Sequence, residues 1–149
     1  MHYMKTIFSL TFFLLTTVAS LNAQDWLTNF ETAKIQAQQE QKTIVLVFQG
    51  SDWCAPCIKL DKEIWQTEEF QNYAKDNFVM LKADFPKRKK NALSENQQAH
   101  NNKLAEQFNK NGYFPYVVIL NSEGKMLGST GYKKTTPSAY IEILESFIK

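Results

Sequence analysis

The chain contains very little cysteine: Cys54 and Cys57, three positions apart, are the two cysteines among 149 residues. Small exported domains that depend on disulfides for stability usually carry several. A bridge that closes so short a loop removes little entropy from the unfolded chain, so a disulfide between these cysteines would stabilise the fold only weakly. The sequence also lacks a second cysteine pair or a nearby histidine pair, and a lone C-x-x-C is half of a zinc site. We therefore expect redox chemistry from the pair, with no metal and no other cofactor.

An excess of charge of one sign is also missing. The chain has 17 Lys and Arg against 15 Asp and Glu, a formal net charge of +2. Because positive and negative charges are nearly equal in number, there is no reason to expect nucleic acid or an acidic membrane as a partner. The length leaves room for one domain with a proper core and not for two. There are no repeats and no low-complexity segments, and we expect a monomer.

The first 23 residues have the layout of a secretory signal. Lys5 precedes an apolar run over residues 7–15, and small or polar residues follow up to Ala23. A transmembrane anchor would need about 20 apolar residues, and this run is interrupted by serine and threonine. We predict a signal peptide over residues 1–23, cleaved after Ala23 or alternatively after Ser20, and an exported domain over residues 24–149. The mature protein would then be periplasmic or secreted.

Hydrophobic periodicity divides the domain into alternating elements. Helices are predicted over residues 25–41, 54–65 and 93–109, with Thr67 capping a further helical piece and Thr136 capping a final helix that begins at Pro137. Strands are predicted over residues 43–48, 78–84, 116–120 and 125–130. The short connection between the last two strands predicts antiparallel pairing. The order α-β-α-β-α-β-β-α predicts an α/β fold, a central mixed sheet flanked by helices on both faces.

Cys54 lies where the first predicted strand turns into a helix. A thiolate there faces the free N–H groups of the first helical turn and the positive end of the helix dipole. Both should lower the pKa of the Cys54 thiol below its free value of about 8.5. Because the thiolate is the nucleophile in disulfide exchange, we expect Cys54 to attack and Cys57, one turn further on, to resolve the mixed disulfide. Pro56 removes a backbone donor that the helix could not satisfy.

These features resemble the thioredoxin-like family over nearly all of the predicted domain. Tryptophan directly before C-x-P-C, here residues 53–57, is typical of the family, as is a proline that opens the third strand, here Pro115. The resemblance implies that Pro115 is cis and faces the cysteines. It also implies that Phe114 offers its backbone to an extended substrate and that Gly131 lies beside the same groove. Trp53, Ala55 and Pro56 would complete the substrate-binding surface.

One departure from the family is informative. Thioredoxins carry a buried aspartate five residues before the tryptophan, which handles the proton of the resolving cysteine, and here that position is Phe48. Met80 replaces the lysine that partners this aspartate. The resemblance therefore implies that the usual internal base is missing, and that water or a residue not identifiable from the sequence takes its role. We predict slower resolution by Cys57 than in a thioredoxin, which stopped-flow reduction of a model disulfide at pH 7 would test.

We expect a thiol–disulfide oxidoreductase that reduces disulfides of exported proteins. Ala55 and Pro56 are uncharged and lack the histidine of the strongly oxidising relatives, which favours a reductant. Residues 52–54 and 59–70 are similar to periplasmic thioredoxin-like proteins, including the C-terminal domain of a transmembrane electron-relay reductase. An upstream thiol donor, such as a membrane relay reductase, would therefore supply electrons. The alternatives are a disulfide oxidase or isomerase, a peptide-binding module with incidental cysteines, and, more weakly, copper handling through the thiols.

The run Lys87-Arg88-Lys89-Lys90 has two interpretations. Such a run is commonly a solvated loop. Its functional interpretation is a docking site for an acidic partner near the cysteines. Of the two, the sequence favours the solvated loop.

Overall fold

The computed structural model describes residues 24–149, so the predicted signal peptide over residues 1–23 lies outside the described residues. Five strands occur in this part of the chain: β1 Trp26–Leu27, β2 Thr43–Gln49, β3 Phe78–Asp84, β4 Tyr116–Leu120 and β5 Met126–Thr130. Five α-helices accompany them: α1 Phe30–Glu40, α2 Ala55–Leu60, α3 Glu68–Asn77, α4 Glu95–Phe108 and α5 Pro137–Glu145. Within residues 24–149, no helix is both long and apolar enough to cross a membrane.

The strands form one mixed sheet in the order β1-β3-β2-β4-β5. The central strand β2 pairs in parallel with β3 and antiparallel with β4, and β4 pairs antiparallel with β5. Val45 and Val47 face a core cluster that includes residues of α3 and α5, whereas Ile44 and Leu46 face a second cluster with α1 and α4. Because β2 is apolar on both faces, it can be buried on both sides. The predicted α/β fold, with a mixed sheet between two layers of helices, is confirmed.

The helix predicted from residue 25 begins later than expected. Trp26 and Leu27 instead form β1, which pairs in parallel with β3 at Met80 and Leu81. Helix α1 begins at Phe30, because Asn29 is extended and its side chain accepts a hydrogen bond from the Thr32 N–H. An N-cap of this kind satisfies a free helical N–H and fixes where the helix begins.

The helix predicted over residues 54–65 is regular only as far as Leu60. Its last turn, Asp61–Trp65, is π-helical, and Ile64 and Trp65 there are buried. Both predicted caps are confirmed: the Thr67 hydroxyl accepts from the Phe70 N–H, and that of Thr136 accepts from the Ala139 N–H. Helix α5 therefore begins at Pro137, as predicted, and buries Tyr140, Ile141 and Leu144.

Candidate active site

The two cysteines lie on the turn between β2 and α2. The Gly50 carbonyl accepts a hydrogen bond from the Cys54 N–H at 2.9 Å, which closes the turn after the strand. Cys54 is extended and serves as the N-cap of α2. A disulfide joins Cys54 to Cys57, with 5.2 Å between their Cα atoms, and each residue is 4% exposed. Among residues 24–149 no group of three or more His, Cys, Asp or Glu side chains is arranged to hold a metal ion.

The sulfur of Cys54 receives a direct backbone contact. The Cys57 N–H points at Cys54 Sγ, with a nitrogen–sulfur distance of 3.3 Å. In the reduced protein this N–H is placed to stabilise negative charge on Cys54, as the N-terminus of a helix does for anions. Ala55 and Pro56 between the cysteines are exposed. The arrangement can therefore present a nucleophilic sulfur with a second thiol one turn behind it.

Trp53 lies beside the cysteines, and its side chain contacts three neighbouring residues. Its indole Nε1–H donates to the Phe85 carbonyl at 2.7 Å. Its ring packs edge-on against Phe114, with 5.4 Å between centroids, and Lys87 Nζ lies 3.9 Å from the ring centroid. A Cβ built on Gly50 would lie 2.2 Å from the indole Cε2, so a side chain there would collide with the ring. Glycine at position 50 is therefore what lets Trp53 lie over the turn.

The proline singled out in the sequence lies just before β4. The Phe114–Pro115 peptide bond is cis, and Pro115 is buried. The Pro115 carbonyl lies 3.4 Å from where a Cβ of Gly131 would be, and the Gly131 carbonyl accepts a hydrogen bond from the Tyr140 hydroxyl at 2.9 Å. The contact between Phe114 and Trp53 links this segment to the cysteine turn. The structure thus brings the predicted substrate-binding residues together, and their roles stay predictions.

A polar cleft that sequence reasoning missed reaches Cys57 from one side of the sheet. It has a volume of about 450 Å³, and its lining includes Cys57, Gln49, Asp61 and Lys82. The Gln66 side-chain amide donates to Asp61. The signal was present in the spacing, because Asp61 follows Cys57 by four residues and so lies on the same side of the helix.

Phe48 and Met80 do not form one site. Both are buried, but Phe48 packs in the cluster under α1 and α4, whereas Met80 packs in the cluster under α3 and α5. The interpretation that this pair occupies the position of an aspartate–lysine pair beside Cys57 therefore needs correction. Strand alternation explains why Phe48 and Met80 lie on opposite faces of the sheet, because successive residues along a strand point to opposite faces. Gln49, adjacent to Phe48, and Lys82, two residues after Met80, line the Cys57 cleft instead.

The basic run lies in a loop that is tied to the cysteine turn. The Asp52 carboxylate accepts hydrogen bonds from the backbone N–H groups of Lys87 and Arg88, at 2.9 and 3.0 Å, and from the Asn91 amide at 2.9 Å. The Lys87 N–H contributes most to stabilising the charged carboxylate, followed by Asn91, and together these contacts lower the pKa of Asp52 to about 2. Since Asp52 is two residues before Cys54, the loop is held beside the candidate site.

Known proteins with similar sequence and structure carry the same kind of domain. A family model described as thioredoxin-like matches residues 25–122. The chain is 36% identical over 132 residues to the disulfide bond reductase DsbH of Chlamydia pneumoniae, covering 89% of this chain and 76% of that protein. A solved DsbH oxidoreductase matches with a TM-score of 0.75 and 34% identity, over 85% of this chain and 87% of the other. The oxidised C-terminal domain of Neisseria meningitidis DsbD shares the fold, with a TM-score of 0.53 and 19% identity over 78% of this chain and 90% of that domain.

Proposed function

The chain belongs to the thioredoxin-like family, and from that premise we propose that it is a thiol–disulfide oxidoreductase that reduces disulfides of exported proteins. The observation that carries the proposal is the Cys54–Cys57 pair at the start of α2, with the Cys57 N–H directed at Cys54 Sγ. This places the nucleophile at a site that favours its charged form and the second thiol within bonding distance of it. The 36% identical relative named a disulfide bond reductase supports the same chemistry and direction.

The reaction has two exchange steps. In the first, the Cys54 thiolate attacks one sulfur of the substrate disulfide, forms a mixed disulfide and releases the other substrate sulfur as a thiolate. In the second, Cys57 loses its proton and attacks Cys54 Sγ, which releases the remaining substrate sulfur. The substrate gains two electrons, and its two sulfurs take up one proton equivalent to that lost by Cys57 and one from water. The protein ends with the Cys54–Cys57 disulfide that the structure contains. An upstream thiol donor must then reduce this disulfide.

The substrate would lie against the surface made by Trp53, Ala55 and Pro56 on one side and by the Phe114–Pro115 segment with Gly131 on the other. Ala55 and Pro56 are exposed, and Trp53 is 38% exposed, so a peptide can reach them. The cis peptide bond lies next to the ring contact that joins the two sides. We propose that these residues bind the substrate.

The cleft next to Cys57 offers a place for the proton that this thiol must lose. Asp61 lines the cleft one helical turn after Cys57, and Lys82 lines it from β3. We propose that Asp61 accepts the Cys57 proton. The variant Asp61→Asn should slow the second step while leaving attack by Cys54 unchanged, so mixed disulfide should accumulate. Quenched-flow trapping and mass spectrometry would measure this, and equal slowing of both steps would contradict it.

The proposal also includes export and a monomeric state. Residues 1–23 would act as the signal peptide and leave a domain over residues 24–149, in a compartment where disulfides persist. N-terminal sequencing of the protein secreted by its host cell would locate the cleavage site. Size-exclusion chromatography with light scattering would give the oligomeric state.

Reduction of insulin by the wild-type protein and two cysteine variants tests the enzyme. We expect Cys54→Ser to abolish activity, and Cys57→Ala to retain the first step and hold substrates as mixed disulfides on Cys54. If the wild-type protein reduces insulin no faster than Cys54→Ser, the chain is a peptide-binding module instead. The redox potential of the pair tests direction, and a value well above that of glutathione would identify an oxidase or isomerase.

A further inference from the structure

The loop between β3 and α4 carries a concentrated positive charge. Residues 87–90 are four consecutive cations, and all four are exposed. Within residues 24–149, none of these side chains forms an ion pair with a carboxylate. Asp52 contacts this loop mainly through its backbone and through Asn91 rather than through the cationic groups. The charges of Lys89 and Lys90 are therefore left available to another molecule, whereas Lys87 lies over the Trp53 ring.

The loop is ordered before any partner arrives. Asp52 binds two of its backbone N–H groups, and Trp53 binds the Phe85 carbonyl. A short 3₁₀ turn, Lys89–Asn91, adds the hydrogen bond from the Asn91 N–H to the Arg88 carbonyl, at 2.9 Å. A surface that is already ordered costs a partner little conformational entropy on binding.

The position of the loop relates it to the chemistry. Its two anchoring side chains, Asp52 and Trp53, directly precede Cys54, and Lys87 Nζ lies 3.9 Å from the centre of the Trp53 ring. A molecule that brings a disulfide to Cys54 therefore also approaches these cations. Opposite charges at such distances raise association rates and fix orientation.

We propose that residues 87–90 dock an acidic segment that flanks the target disulfide of a protein substrate. The inference rests on the proposed reductase function and names the class of substrate that this site takes. The evenly balanced charge of the whole chain argues against an extended polyanion such as nucleic acid, which would need a wider basic surface.

Two matched peptides test the docking. Each contains one internal disulfide, and they differ only in the flanking residues, which are glutamate in one and glutamine in the other. Stopped-flow kinetics would give the second-order rate constant for oxidation of the reduced full-length protein by each peptide, at low and at high salt. We expect the glutamate peptide to react faster at low salt, and its advantage to disappear at high salt because exposed charges are screened.

Two variants locate the effect. Lys89→Gln/Lys90→Gln removes two loop charges without touching the anchors. The control Lys75→Gln/Lys125→Gln removes two exposed charges at the end of the sheet where β3 begins and β4 ends. One cation–anion pair about 6–10 Å apart in water changes a rate about two- to threefold. The loop variant should therefore lose about four- to ninefold with the glutamate peptide, with no change for the glutamine peptide, whereas the control should keep the preference.

Three kinetic outcomes would overturn the docking: no preference in the wild type, equal losses in both variants, or equal slowing of both peptides by the loop variant. Binding is measured separately with serine analogues of the two peptides, which cannot exchange disulfides, by calorimetry on the oxidised protein. Tighter binding of the glutamate analogue, lost in the loop variant, supports docking even if insulin is not reduced. Equal binding of both analogues rejects docking even if the protein is a reductase.

Discussion

Replacing Gly50 by alanine should displace the Trp53 ring from the cysteine turn. The three atoms nearest to a Cβ at position 50 all belong to the indole, at 2.2, 2.4 and 2.6 Å. The backbone cannot easily yield, because the Gly50 carbonyl accepts the Cys54 N–H at 2.9 Å and the Trp53 N–H at 3.3 Å. Separations this short are not tolerated between non-bonded heavy atoms, so the Trp53 side chain must leave its present position.

The expected cost follows from the contacts that the ring would lose. A hydrogen bond such as that to the Phe85 carbonyl contributes about 0.5–1.5 kcal/mol. The edge-on pair with Phe114 contributes about 0.5–1.5 kcal/mol, and a cation over the face of an exposed ring, here Lys87, about 0.5–1 kcal/mol. Because Trp53 is 38% exposed, part of each contact is replaced by water on release. We expect Gly50→Ala to lower the free energy of unfolding by about 2 kcal/mol.

A double-mutant cycle identifies the cause. Urea unfolding of the oxidised protein, followed by far-UV circular dichroism, would give the stability of the wild type, Gly50→Ala, Trp53→Ala and the double variant. Without the indole, the alanine meets no clash with it. In the Trp53→Ala background, Gly50→Ala should then leave the free energy of unfolding unchanged, or raise it by about 0.4–1 kcal/mol because alanine makes the unfolded chain less flexible. The same loss in both backgrounds would refute the reasoning and place the strain in the turn itself.

Three further changes probe the contacts that support the site. Tyr140→Phe removes the hydroxyl bound to the Gly131 carbonyl and should lower stability by about 1 kcal/mol, measured by urea unfolding. Asn101→Ala should cost about 1–3 kcal/mol in the same assay, because the buried amide binds the Asp84 carbonyl at 2.9 Å. The pKa of Asp52 is about 2 against an ordinary 3.8, so its contribution is fully present above about pH 4 and is lost as the pH falls through 2. NMR shifts of the two loop amides that it binds should follow that midpoint, and a midpoint near 4 would contradict the assigned contacts.

The central strands could be predicted because their sequences allow one interpretation. Strand β3 was predicted with the bounds that it has, and so was β4, since β3 begins with four apolar residues and β4 is apolar or aromatic throughout. Strand β1 could not be predicted in this way. It has two residues, and its pairing with Met80 depends on a partner more than 50 positions away, so the local helical spacing of Trp26 and Phe30 was misleading.

The cysteine pair and the proline segment were accessible from the sequence, because both carry local patterns. The loop anchored by Asp52 could not be predicted from the sequence. Its hydrogen bonds to Lys87 and Arg88 join residues 35 and 36 positions apart, and no local spacing indicates them. The sequence therefore favours a solvated loop, and the proposed docking depends on tertiary contacts that the sequence does not show.

The departure at Phe48 has a different meaning once the sheet is known. Phe48 lies under α1 and α4, so an apolar residue there completes a core and leaves no gap beside Cys57. The groups that could handle the Cys57 proton lie one position along β2 and one turn along the helix, at Gln49 and Asp61, in a cleft open enough to admit water. Slow resolution by Cys57 stays a prediction, and Asp61→Asn is the variant that tests whether this carboxylate takes the role of the buried aspartate.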